Sequence, residues 1–196
     1  MNCILRKWRL SDAKDLAAAL NNKKILNNLR DGLPFPYTEQ DARDYIIAIL
    51  SSEENRTFAY AITQNDRAIG SIGAFRQSNI HRQTAELGYY LAEEYWGRGI
   101  MTEAIRQLCA IIFDTTDILR IYAEPFAYNT GSRRALEKAG FAFEGAMKNN
   151  AVKKRQGYGH GALQHDPHHR SLSRPQADQR RNLPVAGAVL AGIPGV

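Results

Sequence analysis

The sequence predicts an α/β (α+β) domain built on a mixed sheet, and three observations carry that prediction. A first half rich in short alternating segments gives way, between residues 84 and 147, to a strand–helix–strand–helix–strand succession. Asp31–Tyr37, with two prolines and a glycine, and the Asn65-Asp66 turn separate the segments of the first half. The 196 residues are 44% hydrophobic and 23% charged, which suits a single globular domain. There is no internal repeat.

In chain order, Cys3-Ile4-Leu5-Arg6-Lys7-Trp8 mixes β-branched and aromatic residues and reads as a first strand. Ser11 and Asp12 then cap a helix whose apolar face is Ala13, Leu16, Ala17 and Leu20. Two prolines and a glycine make Asp31–Tyr37 a loop, after which Thr38 caps a helix with Ala42, Tyr45, Ile46, Ile49 and Leu50 at helical spacing. Phe58, Tyr60 and Ile62 alternate with small residues, Asn65-Asp66 turns, and Ala68–Phe75 returns as the second arm of a hairpin. Thr84–Leu91 is a strand, and Ile100–Phe113 is an amphipathic helix on Ile105, Leu108, Cys109 and Ile112. Leu119–Phe126 is a strand, Thr130–Ala139 a helix stopped by Gly140, and Phe141–Met147 a strand.

Composition narrows the function classes. The net charge is +6, yet residues 1–152 carry 19 basic and 18 acidic side chains, while residues 153–196 carry 7 and 2. Phosphate attraction needs a clustered basic surface, so the charge describes the tail and disfavours a nucleic-acid partner. No apolar run approaches the roughly 18 residues of a membrane span, and the first residues lack the pattern of a signal peptide. Cys3 and Cys109 sit in apolar patterns, as expected of buried reduced thiols in a cytoplasmic protein. The four tail histidines, His160, His165, His168 and His169, have no carboxylate or cysteine at a ligand spacing, so no metal is expected. His81, in a polar loop, reads as solvated.

The chemistry concentrates in Tyr89–Ala104, where a strand runs through a loop with two glycines straight into a helix. The first N–H groups of that helix have no intrahelical partner, and its dipole adds positive character. Gly97 and Gly99 let a pyrophosphate approach the backbone, and Arg98 supplies a cation. The loop matches neither GxGxxG nor a Walker lysine loop, which disfavours a dinucleotide or a nucleoside triphosphate. On residues alone the choice is between a site for a phosphate-bearing ligand and a plain glycine turn before a helix.

The run Tyr95-Trp96-Gly97-Arg98-Gly99-Ile100-Met101-Thr102-Glu103-Ala104 resembles the acetyl-CoA loop of the GNAT N-acetyltransferases of the RimJ/RimL-like branch. Asn129–Phe141 resembles that family's second motif, and Leu33–Thr38 its acceptor-side loop, so the resemblance covers residues 3 to about 152 in order. Glu94 departs from the Gln or Arg that often stands three residues before the first glycine. The resemblance implies a GNAT fold: a mostly antiparallel mixed sheet splayed between its fourth and fifth strands, with helices on both faces. It implies acetyl transfer from acetyl-CoA to an amine by direct attack in a ternary complex. The pantetheine arm would lie along Tyr90 and Leu91. The main chain of Trp96, Gly97, Arg98, Gly99, Ile100, Met101 and Thr102 would hold the pyrophosphate. Asn129 would bond the pantetheine amides, and Lys138 would reach the nucleotide phosphates.

Acetyl transfer needs a proton taken from the amine and one returned to the thiolate. Glu86, in an otherwise apolar strand, is the expected base, acting through a water, with a solvent-facing Glu as the alternative. Ser132, on the first turn of its helix, matches the position where this branch often uses a thiol-side acid; capping of that helix is the alternative. Phe35 and Tyr37 on the acceptor-side loop, with Tyr122 and Glu124, are candidates for the acceptor cleft; for Tyr122, Glu124 and also Glu144, ordinary strand positions are the other reading. A GNAT-fold protein that binds acetyl-CoA without catalysis is the second functional reading.

From Lys153 the pattern changes to alternating glycines, then a His-, Arg- and Pro-rich stretch. Residues 1–152 read as the domain lacking its usual final strand, and 153–196 as a disordered tail. Slipping one base in an adenine run at Lys153-Lys154 lets the adjacent frame spell an Asn-Gly turn and a strand-like stretch. The tail therefore reads as a frameshift, with a genuine divergent end as the alternative. A replaced last strand would expose a sheet edge and favour a homodimer.

Overall fold

The computed structural model describes residues 3–147, 150, 151 and 153, together with the backbone of 168–173. Alternation does the first work of folding. Strand β2 (Thr57–Gln64) and strand β3 (Arg67–Arg76) form the hairpin, turned by Asn65 and Asp66, both at positive φ. Along them, Ala61 and Ala68 face one layer of helices, while Ile62 and Ile69 face another. Strand β1 (Ile4–Arg6) pairs with β2, and strand β4 (Thr84–Leu91) pairs with β3, all antiparallel.

Helix α1 (Ala13–Leu20), the short helix α2 (Lys23–Leu26) and helix α3 (Glu39–Leu50) enclose one core around Trp8, Leu16, Leu20, Tyr37 and Ile46. Helix α4 (Ile100–Thr115) and helix α5 (Thr130–Ala139) cover the other face, burying Ile105, Leu108, Ile112, Ile121 and Leu136. Strand β5 (Arg120–Ala123) pairs in parallel with β4, and strand β6 (Ala142–Ala146) lies beyond it. The sheet order is β1-β2-β3-β4-β5-β7-β6, with β7 at His168–Ser173 antiparallel to both β5 and β6. This is a mixed α/β fold with helices on both faces, as the resemblance implies.

Local signals account for most boundaries. Thr38 Oγ1 accepts from the Asp41 N–H at 3.1 Å, capping α3 as expected. Gly140, at φ +106°, ends α5. The start of α1 differs: Asp12 makes no cap but is buried, accepting from Arg6 at 2.7 and 2.8 Å and from the Arg9 N–H at 2.9 Å. A 3-10 turn over Leu10–Asp12 results. Strand β5 stops at Ala123, short of the expected Phe126, ahead of Pro125, whose nitrogen has no hydrogen to extend a ladder.

Most of the expected disordered tail lies outside the described residues. Of its described residues, Lys153 pairs with Asp31, and His168–Ser173 form a strand inside the sheet, beyond the point where the sequence reading closed the domain.

Candidate active site

The donor side begins where β4 ends. Gly97 and Gly99 both take positive φ, +73° and +76°, the region that favours glycine. A Cβ built on either would meet no atom within 4 Å, so the loop leaves room over its backbone. Gly99 is the N-cap of α4 and supplies no capping side chain; the first α4 backbone bond to it runs from the Glu103 N–H to the Gly99 oxygen. The N–H groups of Ile100, Met101 and Thr102 thus head an uncapped sixteen-residue helix. Ile100 is wholly buried and Thr102 nearly so, which leaves main-chain atoms as their means of binding. Trp96 Nε1 donates to the Leu91 oxygen at 2.7 Å, tying the loop to the strand, while Arg98 stacks over the Tyr95 ring at 5.6 Å.

The splay is visible in the pairing. Strands β4 and β5 share three rungs, Thr84↔Arg120, Ala85↔Ile121 and Glu86↔Tyr122. Strand β4 runs on to Leu91 and β5 ends at Ala123, so the two part company beyond Glu86. A Cβ on Gly88, in the unpaired stretch, would again meet nothing within 4 Å. Of the expected donor contacts in that stretch, Leu91 is buried in the core, and the Tyr90 hydroxyl is buried without a hydrogen-bond partner.

On the far side of the opening, Asn129 Oδ1 accepts from the Ser132 N–H at 3.0 Å, so Asn129 is the cap of α5. The Ser132 hydroxyl is instead 2.7 Å from that of Tyr89 on β4. Sequence reasoning had no signal for this pair, whose partners lie 43 residues apart. Lys138 is exposed on the last turn of α5.

Glu86 is 8% exposed, and its Oε1 takes a short ion pair with Arg30 from the segment between α2 and α3. Arg30 is the second residue that the sequence reading missed. Its neighbour Asp31 pairs with Lys153 Nζ at 2.6 Å, and the same ammonium donates to the Leu29 oxygen at 2.6 Å. Tyr122 is level with Glu86, and Glu124 follows two residues on. Burial raises the Tyr122 phenol, with Glu86 and Glu124 adding to the effect. Burial first, then the Glu86 charge, pushes the Glu124 carboxyl up to about 7 against the opposing pull of Arg30.

The other acceptor-side expectations separate. Phe35 is 40% exposed, with Lys23 Nζ 5.3 Å over its ring. Tyr37 is buried in the second core, its backbone clamped by Asn21 through bonds of 2.9 and 2.6 Å. Glu144 makes a two-pronged pair with Arg120. Among the described residues no group of three or more His, Cys, Asp or Glu side chains is placed to hold a metal ion.

A family model described as an acetyltransferase (GNAT) domain matches residues 2–142, most of the chain. The chain belongs to the GNAT acetyltransferase family. It therefore stands among the acetyl-CoA-dependent N-acetyltransferases. The GNAT chain is 39% identical over 101 residues to the probable N-acetyltransferase YjcK of Bacillus subtilis, a match spanning 52% of this chain and 56% of that relative. It superposes with a TM-score of 0.75 on the ribosomal-protein-S5-alanine acetyltransferase of Vibrio fischeri, at 21% identity over 88% of this chain and 93% of the other. A RimL ribosomal L7/L12 α-N-protein acetyltransferase, solved in complex with coenzyme A, gives 0.72 at 23% identity over 88% and 94%. No described helix of the GNAT chain is long and apolar enough to cross a membrane.

Proposed function

We propose that this GNAT chain moves the acetyl group of acetyl-CoA to a primary amine, by direct attack with both substrates bound. The observation that carries the reading is the three-rung pairing of β4 and β5, opening beside a positive-φ glycine loop at an uncapped helix end. That combination offers a slot for an extended arm and a seat for its pyrophosphate. The main chain from Trp96 to Thr102 takes the phosphates, with Arg98 and Lys138 as nearby cations. Tyr90 and Leu91 flank the arm through their backbone, and Asn129 stands at its far side.

The acceptor comes in beside Glu86, Tyr122 and Glu124, with Phe35 at the rim. A protein N-terminus is the favoured acceptor class, supported by the named substrates of the ribosomal-protein acetyltransferases that share the fold. Glu86 is a carboxylate beside Arg30, suited to hold the incoming ammonium. Ser132, paired with Tyr89, returns a proton to the departing sulfur. The buried thiols Cys3 and Cys109 suit the reducing cytoplasm.

The test is a thermal-shift titration with acetyl-CoA, followed by CoA release from peptides with a free N-terminal alanine or serine. At about 100 times its dissociation constant the donor adds roughly 2.7 kcal/mol to the folded state. A saturating shift with peptide-dependent CoA release is the expected result, and Ser132→Ala lowers kcat by about 10²-fold or more without moving the titration. A cooperatively melting protein that shows no shift overturns the donor site.

A further inference from the structure

Resting on the acetyltransferase reading, we infer that Glu124, rather than Glu86, is the group that takes the proton from the acceptor amine. Glu86 is instead the fixed counter-charge that holds the ammonium in place. Four groups define the arrangement. Glu86 and Tyr122 lie on one rung of the parallel ladder. Glu124 follows directly after the end of β5 at Ala123, two residues beyond Tyr122, where β4 and β5 separate, and the Glu86 charge acts on it. Arg30 reaches in from the segment after α2 and pairs with Glu86.

The two carboxylates thus have different surroundings. Glu86 is buried against a guanidinium, so losing that partner would strand a charge. Among the described residues Glu124 has no ion pair. It sits half-buried past the strand end, where burial and the Glu86 charge push its carboxyl up to about 7 and Arg30 pulls the other way. A base must exchange its proton near working pH, whereas a positioning charge must keep its own state. Arg120, on β5, faces Tyr122 and is engaged with Glu144, and Lys153 is engaged with Asp31, so neither is the cation of Glu124.

In the step itself an N–H bond of the acceptor ammonium breaks and its proton goes to a Glu124 carboxylate oxygen. The freed electron pair forms the bond from nitrogen to the thioester carbonyl carbon, and the carbon–sulfur bond breaks with its electrons on sulfur. The surplus proton on nitrogen balances the one delivered to sulfur, and Glu124 passes its own to solvent.

The experiment uses the full chain labelled with glutamate ¹³C at the carboxyl, with acetyl-CoA present, and follows carboxyl resonances against pH. The Glu124 signal is identified by its loss in Glu124→Gln. It is expected to titrate near 7 and to move down in Glu86→Gln, where the neighbouring negative charge is gone. Titration in the ordinary range near 4.3, or no response to Glu86→Gln, overturns the assignment.

A second arm measures CoA release with peptides bearing N-terminal alanine or serine. Glu124→Gln should remove the rising limb of kcat/KM near pH 7, Glu124→Asp should restore part of it, and Glu86→Gln should act chiefly on KM. Retention of the limb in Glu124→Gln also overturns the inference. Release from neither peptide by the wild type counts against the acceptor class of the preceding reading, while the titration still decides Glu124.

Discussion

Asp12 illustrates how a residue's surroundings can outvote its sequence pattern. Ser11 and Asp12 precede a helix and read as caps, but Asp12 is 4% exposed and spends its oxygens on Arg6 and the Arg9 N–H. Burial works against its charge, yet those donors together hold its carboxyl below the usual range. A depressed carboxylate contributes stability that is complete above the unfolded value near 3.9 and lost as pH falls through the folded one. Asp12→Asn should therefore cost about 2 kcal/mol near neutral pH, with the gap between the two melting curves closing as the pH drops below 4. Thermal melts at pH 7, 4 and 2.5 check this. The Arg30–Glu86 and Tyr89–Ser132 contacts were invisible in the sequence for a different reason. Their partners are 56 and 43 residues apart, and no local spacing encodes such a meeting.

Among elements, those read correctly are governed by short-range chemistry. The Asn65-Asp66 turn, the Thr38 cap and the Gly140 stop each depend on one or two residues in a special conformation or bond. Element ends that depend on tertiary partners were less legible: β5 was drawn too long, and the four-residue α2, capped by Asn22, was absent from the reading. Tyr37, a candidate for the acceptor cleft through the resemblance of its loop, is buried in the second core, where Asn21 clamps its backbone, a contact no local spacing encodes. The junction of β4 and α4 was legible because its two glycines act through backbone geometry. Gly99→Ala there should cost about 1 kcal/mol through the left-handed backbone alone. It should also weaken acetyl-CoA binding by roughly tenfold, as a methyl enters the space that the loop leaves open. Calorimetric titration separates the two effects, and unchanged affinity would argue against main-chain recognition at Gly99.

At the scale of the molecule, the two cores lie on opposite faces of one sheet, and the chain order of helices assigns α1–α3 to one and α4–α5 to the other. That division follows from alternation and was readable as an α/β class, whereas the splay was expected only from family likeness. The last strand in space, β6, is reached through β7, which comes from beyond the boundary that composition suggested. A sheet joined by three rungs at its middle behaves like a zip fastened only at its lower end. Every second amide of Leu87–Leu91, those turned away from β3, lacks a rung toward β5 and can surrender its hydrogen to solvent. Hydrogen–deuterium exchange should show those amides fast in the free protein and slowed by acetyl-CoA, while their neighbours bonded to β3 change little. The donor would then count as a removable eighth strand, and its arrival would be readable as protection along a single stretch of backbone.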